Sequence, residues 1–175
     1  MKRSILIAAA AAFTLAVSGM SAQACNPLLE KGKVASKLPA ALLARNQVNR
    51  PPSAASIVGL WHVIHTASDG SLFLEGYDMW HSDGTEEEMA NAPPATGPVC
   101  FGVYTAKGRK VDLLTHVVFL YDLNNNFQGT LNMTQSNKVS SDGNSYDGTF
   151  DAKIYDPAGD LVAEVTGTSA ADRLD

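Results

Sequence analysis

The chain has 175 residues, with 13 Lys and Arg against 18 Asp and Glu, for a formal net charge of −5 with neutral histidine. A mildly acidic chain with no basic cluster beyond its first residues has no surface to track a phosphate backbone, which excludes nucleic acid as a partner. Its length suits one domain with one sizeable core.

Residues 1–24 carry Lys2 and Arg3, an apolar run from Ile5 to Val17, and small residues ending in Ala22-Gln23-Ala24. This is the pattern of a secretory signal peptide cleaved after Ala24. The run is shorter than the roughly 18 to 20 unbroken apolar residues of a membrane span, so the expectation is a periplasmic or secreted protein with no membrane span. Cleavage leaves Cys25 first. Ala22 and Gln23 depart from the aliphatic and small residues that precede a lipid-anchored cysteine, which makes lipid anchoring at Cys25 the lesser alternative. The only other cysteine is Cys100. In an oxidising compartment two cysteines read as one disulfide, Cys25 to Cys100, worth about 4 kcal/mol in the chain-entropy model.

Residues 25–55 form an N-terminal arm and linker, with a short helix expected over "ASKLPAALLARNQ" and a stop at "NRPPSAAS". Residues 56–175 then change to β-type runs. Strands are expected near 57–66, 71–81, 86–90, 99–106, 110–122, 127–135, 146–155 and 161–168. Between them stand turn residues such as Asp69-Gly70, Asp83-Gly84, Asn124-Asn125 and Pro157-Ala158-Gly159. Turns every 8 to 12 residues or so, without helical period, indicate an all-β, antiparallel up-and-down barrel of about eight strands behind a helical arm. Alternation places Phe127, Leu131 and Met133 on one buried face, and Tyr146, Phe150, Ala152 and Ile154 on another. The run "VDLLTHVVFLY" is apolar on both parities and is expected to be covered on both sides, with the N-terminal arm as a candidate cover.

The four histidines, His62, His65, His81 and His116, all fall in expected strands. His62 and His65 are three apart and so face opposite sides of a regular strand, which makes "WHVIH" a poor metal motif. In "WHSDGTEEE", a two-residue Asp83-Gly84 loop would pair Ser82 with Thr85 and His81 with Glu86, and would put Trp80 and Glu87 on the other face. A carboxylate beside an imidazole fixes its tautomer and raises its basicity. His116 sits mid-strand in an apolar run, where it needs a hydrogen-bond partner or a cavity. His81, Glu86 and His116 are therefore the candidate catalytic set and, if a transition metal is bound, the candidate ligands. Tyr77, Tyr104 and Tyr121 are candidate ligand-binding phenols. The nucleophile elbow, phosphate loop and helical zinc motif are absent from the sequence.

The segments "IVGLWHVIHT", "WHSDGTE", "PVCFGVY", "LLTHVVF" and "GNSYDGTFDAKIYDPAGDLVAEVTGTSAADR" resemble a group of exported bacterial lipocalin-like, calycin-type β-barrel proteins, over about residues 56 to 173. Gly59-x-Trp61 resembles the lipocalin signature, whose tryptophan closes one end of the barrel, and the resemblance implies Arg173 as its partner. Tyr104 stands where similar sequences often carry tryptophan. The group implies a fold and no reaction.

Two functions follow as expectations. One is binding of a small hydrophobic or aromatic molecule inside the barrel. The other is a small cofactor-independent lyase, isomerase or cyclase, or a metal-dependent version of it, with His81 and His116 as acid and base and Glu86 orienting His81. A solid barrel with a structural role in the envelope is a third. Oligomeric state is not set by the sequence.

Overall fold

The computed structural model describes residues 55–175. The expected signal segment, Cys25 and the helical arm up to residue 54 lie outside the described residues. Eight strands follow in order: β1 (Gly59–Ala67), β2 (Leu72–Trp80), β3 (Thr85–Ala90), β4 (Val99–Lys107), β5 (Lys110–Tyr121), β6 (Phe127–Val139), β7 (Ser145–Tyr155) and β8 (Leu161–Arg173). Each pairs antiparallel with the next, and β8 returns to β1, closing the barrel. A short 3-10 turn at Pro94–Thr96 connects β3 to β4. No helix among the described residues is long and apolar enough to cross a membrane.

Several connections share one design. After Ala67, His81, Asp122 and Asp156, three residues turn the chain, and the third takes a left-handed conformation: Gly70, Gly84, Asn125 and Gly159. This is the three-residue hairpin, a type I turn followed by a left-handed residue, for which glycine is the cheapest choice. The loop at residues 82–84 is thus one residue longer than the expected Asp83-Gly84 turn. His81 N–H donates to Thr85 O at 2.9 Å, and Trp80 faces Glu86 while Met79 faces Glu87. Because strand side chains alternate, that single residue exchanges the faces of one arm. The expected His81–Glu86 pairing is corrected accordingly: Glu86 points inward with Trp80, and His81 lies outside with Thr85 and Glu87.

The run in β5 is also resolved differently from expectation. A register shift between Leu113 and Val117 switches the inward parity, so that Val111 and Leu113 are followed by His116, Val118 and Leu120. Both parities look apolar because the bulge changes which parity is inside. The outer side chains Leu114, Val117 and Phe119 are exposed, Phe119 at 63%, so no element among the described residues covers that side; the N-terminal arm lies outside them. Phe127, expected inward, is 42% exposed and lies 6.1 Å from the Phe119 ring, while Leu131 and Met133 are buried as expected.

The core is two apolar clusters. One holds Phe73, Leu74, Leu120, Leu131, Phe150 and Ile154. The other holds Ile57, Trp61, Val63, Val111, Val139 and Tyr146. The second is closed off by Arg173, whose guanidinium lies 4.0 Å over the Trp61 ring. Arg173 donates to Gly143 O (2.6 Å), Val58 O (2.8 Å) and Ser56 O, tying both ends of the described residues and a hairpin into one plug.

Candidate functional site

Read along their inward positions, most strands pass from one apolar cluster to the other through a polar step. On β2 the sequence is Trp80, Asp78, Gly76, Leu74, and on β5 it is Leu113, His116, Val118. On β6 Gln135 and Asn137 stand between Met133 and Val139, and on β8 Ser169 stands between Gly167 and Ala171. β3 contributes Glu86 and Glu88, and β1 contributes His65. The result is a polar layer across the middle of a sealed barrel, which costs free energy unless its groups are paired.

Three acids and two histidines meet there. His116 Nδ1 is hydrogen-bonded to Glu86 Oε2 at 3.0 Å, and His116 Nε2 lies 3.4 Å from Glu88 Oε2. His65 Nε2 faces the same oxygen at 3.8 Å, while its Nδ1 is hydrogen-bonded to Ser169 Oγ at 2.9 Å. Tyr146 O–H donates to Asp78 Oδ2 at 2.6 Å. One carboxylate oxygen from each of Asp78, Glu86 and Glu88 lies within 4.8 Å of the others. His65 Nε2, His116 Nε2, Asp78 Oδ1 and both Glu88 oxygens are buried without a hydrogen-bond partner.

Glycines on the facing strands make the room. A Cβ at Gly76 would collide with the Glu88 carboxyl, one at Gly102 with the Glu86 carboxyl, and one at Gly148 with Asn137 Oδ1. These are inward positions directly opposite or diagonal to the polar side chains.

Burial governs the protonation of the layer, because it disfavours the charged form of each group. It pushes Glu86 up to about 8, helped by Glu87. Burial also raises Glu88 to about 7, with His116 opposing and Glu86 reinforcing the rise. Asp78 is raised well above its ordinary value by burial and by the Glu88 and Glu86 charges. His65 is lowered to about 4, again chiefly by burial. Neighbouring acids that resist simultaneous ionisation in a closed space can share protons or hold a cation.

The sequence-derived candidates are only partly brought together. Glu86 and His116 meet; His81 does not join them and lies partly exposed after β2. Tyr77 is exposed on the outer face at 42%, and Tyr121 packs against Phe127. Tyr104 is half-buried against Trp80 and donates to His81 O, outside the polar layer. His62, on the outer side of β1, pairs with Glu75 at 2.8 Å, so the opposite facing of His62 and His65 is as expected; His65, however, is a member of the site. Asp78, Glu88, Tyr146 and Ser169 were missed. The available signal was the parity of Glu86, Glu88 and Ala90 in β3, with glycines in the neighbouring strands. Cys100 is buried in the first apolar cluster beside Glu88 and His116. Its expected partner Cys25 lies outside the described residues.

A separate depression of about 430 Å³, lined by Thr66, Ser68, Thr149, Thr166 and Thr168 among others, opens to solvent and contains none of these titratable groups. No protein-family model matches the chain, and no curated protein matches it in sequence.

Proposed function

We propose that this is an exported, lipocalin-like barrel that binds a small guest in its interior, and that the guest is cationic or rich in hydrogen-bond donors. The observation that carries this reading is the surplus of acceptors in the polar layer. Asp78 Oδ1, Asn137 Oδ1 and both oxygens of Glu88 are buried without a hydrogen bond, and Glu88 Oε2 has only the longer approaches of two histidine nitrogens. The ion-pair partners of Glu86 and Glu88 among the described residues are histidines, not lysine or arginine. Closed eight-strand barrels are suited to holding one small ligand. A purely apolar guest in this layer would leave those acceptors unpaired, at roughly 1–3 kcal/mol each; a donor or cation removes that cost. The Trp61–Arg173 contact supports the lipocalin-like resemblance, and the signal-like first 24 residues support export.

The test is a thermal-shift panel on the full mature chain, covering divalent metal ions, organic amines, fatty acids and neutral aromatic dyes. A saturable rise in Tm with at least one cationic or donor-rich compound, reduced in Glu88→Gln, is expected. Response to fatty acids or dyes alone, unchanged in Glu88→Gln, would replace the charged guest with an apolar one.

A further inference from the structure

We propose that the guest is a divalent transition-metal ion held by Asp78, Glu86 and Glu88, with His116, which groups with Glu88 and the neighbouring Cys100 and is not within the three-carboxylate cluster, moving in beside Glu88 to add an imidazole. This rests on the reading of the polar layer as the binding site. The three carboxylates supply oxygens within 4.8 Å of one another. Donors around a six-coordinate ion with bonds of about 2.1 Å are spaced roughly 3.0 Å in adjacent positions and 4.2 Å in opposite ones, so the cluster needs only a small contraction to close on an ion.

Two buried imidazoles accompany the acids. His116 and His65 are wholly buried, and each directs an unpartnered Nε2 toward Glu88 Oε2, at 3.4 and 3.8 Å. Both have the other ring nitrogen engaged, His116 Nδ1 with Glu86 and His65 Nδ1 with Ser169. A histidine that ligates a metal through one nitrogen characteristically donates from the other to a carboxylate, hydroxyl or carbonyl that fixes its ring. His116 fits that description through Glu86, and His65, whose Nε2 faces the same Glu88 oxygen, stands as a second imidazole.

The donor set also indicates which ion. Carboxylates alone would suit magnesium or calcium, and imidazole shifts preference toward manganese, iron and zinc. Three ionised carboxylates around a divalent ion leave a net charge of −1, so balance in a buried site is reached when one of the three keeps its proton. Gly76 and Gly102 keep open the space that the Glu88 and Glu86 carboxyls occupy. A thiolate is not needed, so the assignment is independent of the state of Cys100.

The experiment uses the full mature chain, stripped with EDTA and titrated with Mn²⁺, with free ion followed by electron paramagnetic resonance and Zn²⁺ as competitor. Saturation at one ion per chain is expected. Glu88→Gln and Asp78→Asn should each weaken binding at least tenfold, with His81→Ala as the outer-face control that leaves it unchanged. Near-UV circular dichroism checks that each variant is folded. X-ray absorption on the wild-type zinc form tests the ligands without any variant: a nitrogen and oxygen shell supports the assignment, and a sulfur ligand overturns it. Absence of saturable Mn²⁺ and Zn²⁺ binding in the wild type also overturns it. If spermidine then binds in a Glu88-dependent manner, the cationic-guest reading stands and the metal assignment alone falls; if neither metal nor spermidine binds, both fall.

Discussion

At the scale of single residues, the most informative feature is a set of acids buried away from bulk solvent. In the cation-free protein Glu86 titrates near 8 and Glu88 near 7, both raised by burial from an ordinary 4.5. A raised carboxyl keeps its proton in the folded state at pH values where the unfolded chain has released it. Its stabilising contribution is therefore full below about 4.5 and is lost as pH rises through 7 to 8. Asp78, also raised, acts in the same sense. His65, lowered to about 4, acts oppositely, and its contribution is lost as pH falls from about 6.5 toward 4. Urea denaturation of EDTA-treated protein should give a higher midpoint at about pH 5.5 than at about pH 8. An equal or higher midpoint at the alkaline pH would contradict burial of these carboxyls. The glycines opposite them supply a second prediction. In Gly102→Ala the new methyl meets the Glu86 carboxyl, Leu113 Cδ1 at 2.9 Å and Thr115 O at 2.9 Å. Overpacking of this kind should cost about 1–3 kcal/mol in chemical denaturation; a variant as stable as the wild type would show that the interior is looser than described.

At the scale of elements, one loop residue decides the site. Gly84 has φ +91° and closes the three-residue turn, and an added Cβ would lie 3.3 Å from Tyr104 O. Gly84→Ala should destabilise the fold by about 1–2 kcal/mol through left-handed backbone strain, and Gly84→Asn by less. Equal urea midpoints for wild type and Gly84→Ala would refute this geometry. The same turn shows what could be read from the sequence and what could not. Asp83-Gly84 announced a hairpin, and turn residues at regular spacing announced the meander. An Asp-Gly pair, however, fits both a two-residue loop with glycine second and a three-residue loop with glycine third. The choice inverts the facing of His81 relative to Glu86. In β5 the bulge after Leu113 was equally invisible, because apolar residues on both parities conceal a change of parity. His116 and Glu86 were legible as inward candidates from their chemistry. Glu88, Asp78 and His65 were not, because acids and histidines in strands are read as outward until glycines across the sheet show that space has been left for them.

At the scale of the whole molecule, closure is achieved twice: by β8 pairing with β1, and by the Arg173 plug over Trp61. The plug joins residues at both ends of the described chain, so it stabilises the barrel against opening at the β1–β8 seam. Arg173→Lys keeps the charge but loses the planar fork that reaches Gly143 O, Val58 O and Ser56 O together. Charge-assisted hydrogen bonds contribute roughly 1.5–3 kcal/mol each, and the lysine variant should lose at least about that much in thermal or urea unfolding. Wild-type stability in Arg173→Lys would show that the plug is incidental. The plug closes one end of the barrel, and the burial of Asp78, Glu86 and Glu88 behind it makes acceptors without hydrogen bonds a reason to expect a guest. The most direct measurement is native mass spectrometry of the protein purified from its own host, compared with the same sample after acid denaturation. A mass excess of one metal ion or one cationic or donor-rich small molecule per chain, released by denaturation and absent from Glu88→Gln, is the predicted result. A bound lipid or neutral aromatic molecule retained in Glu88→Gln would contradict the account.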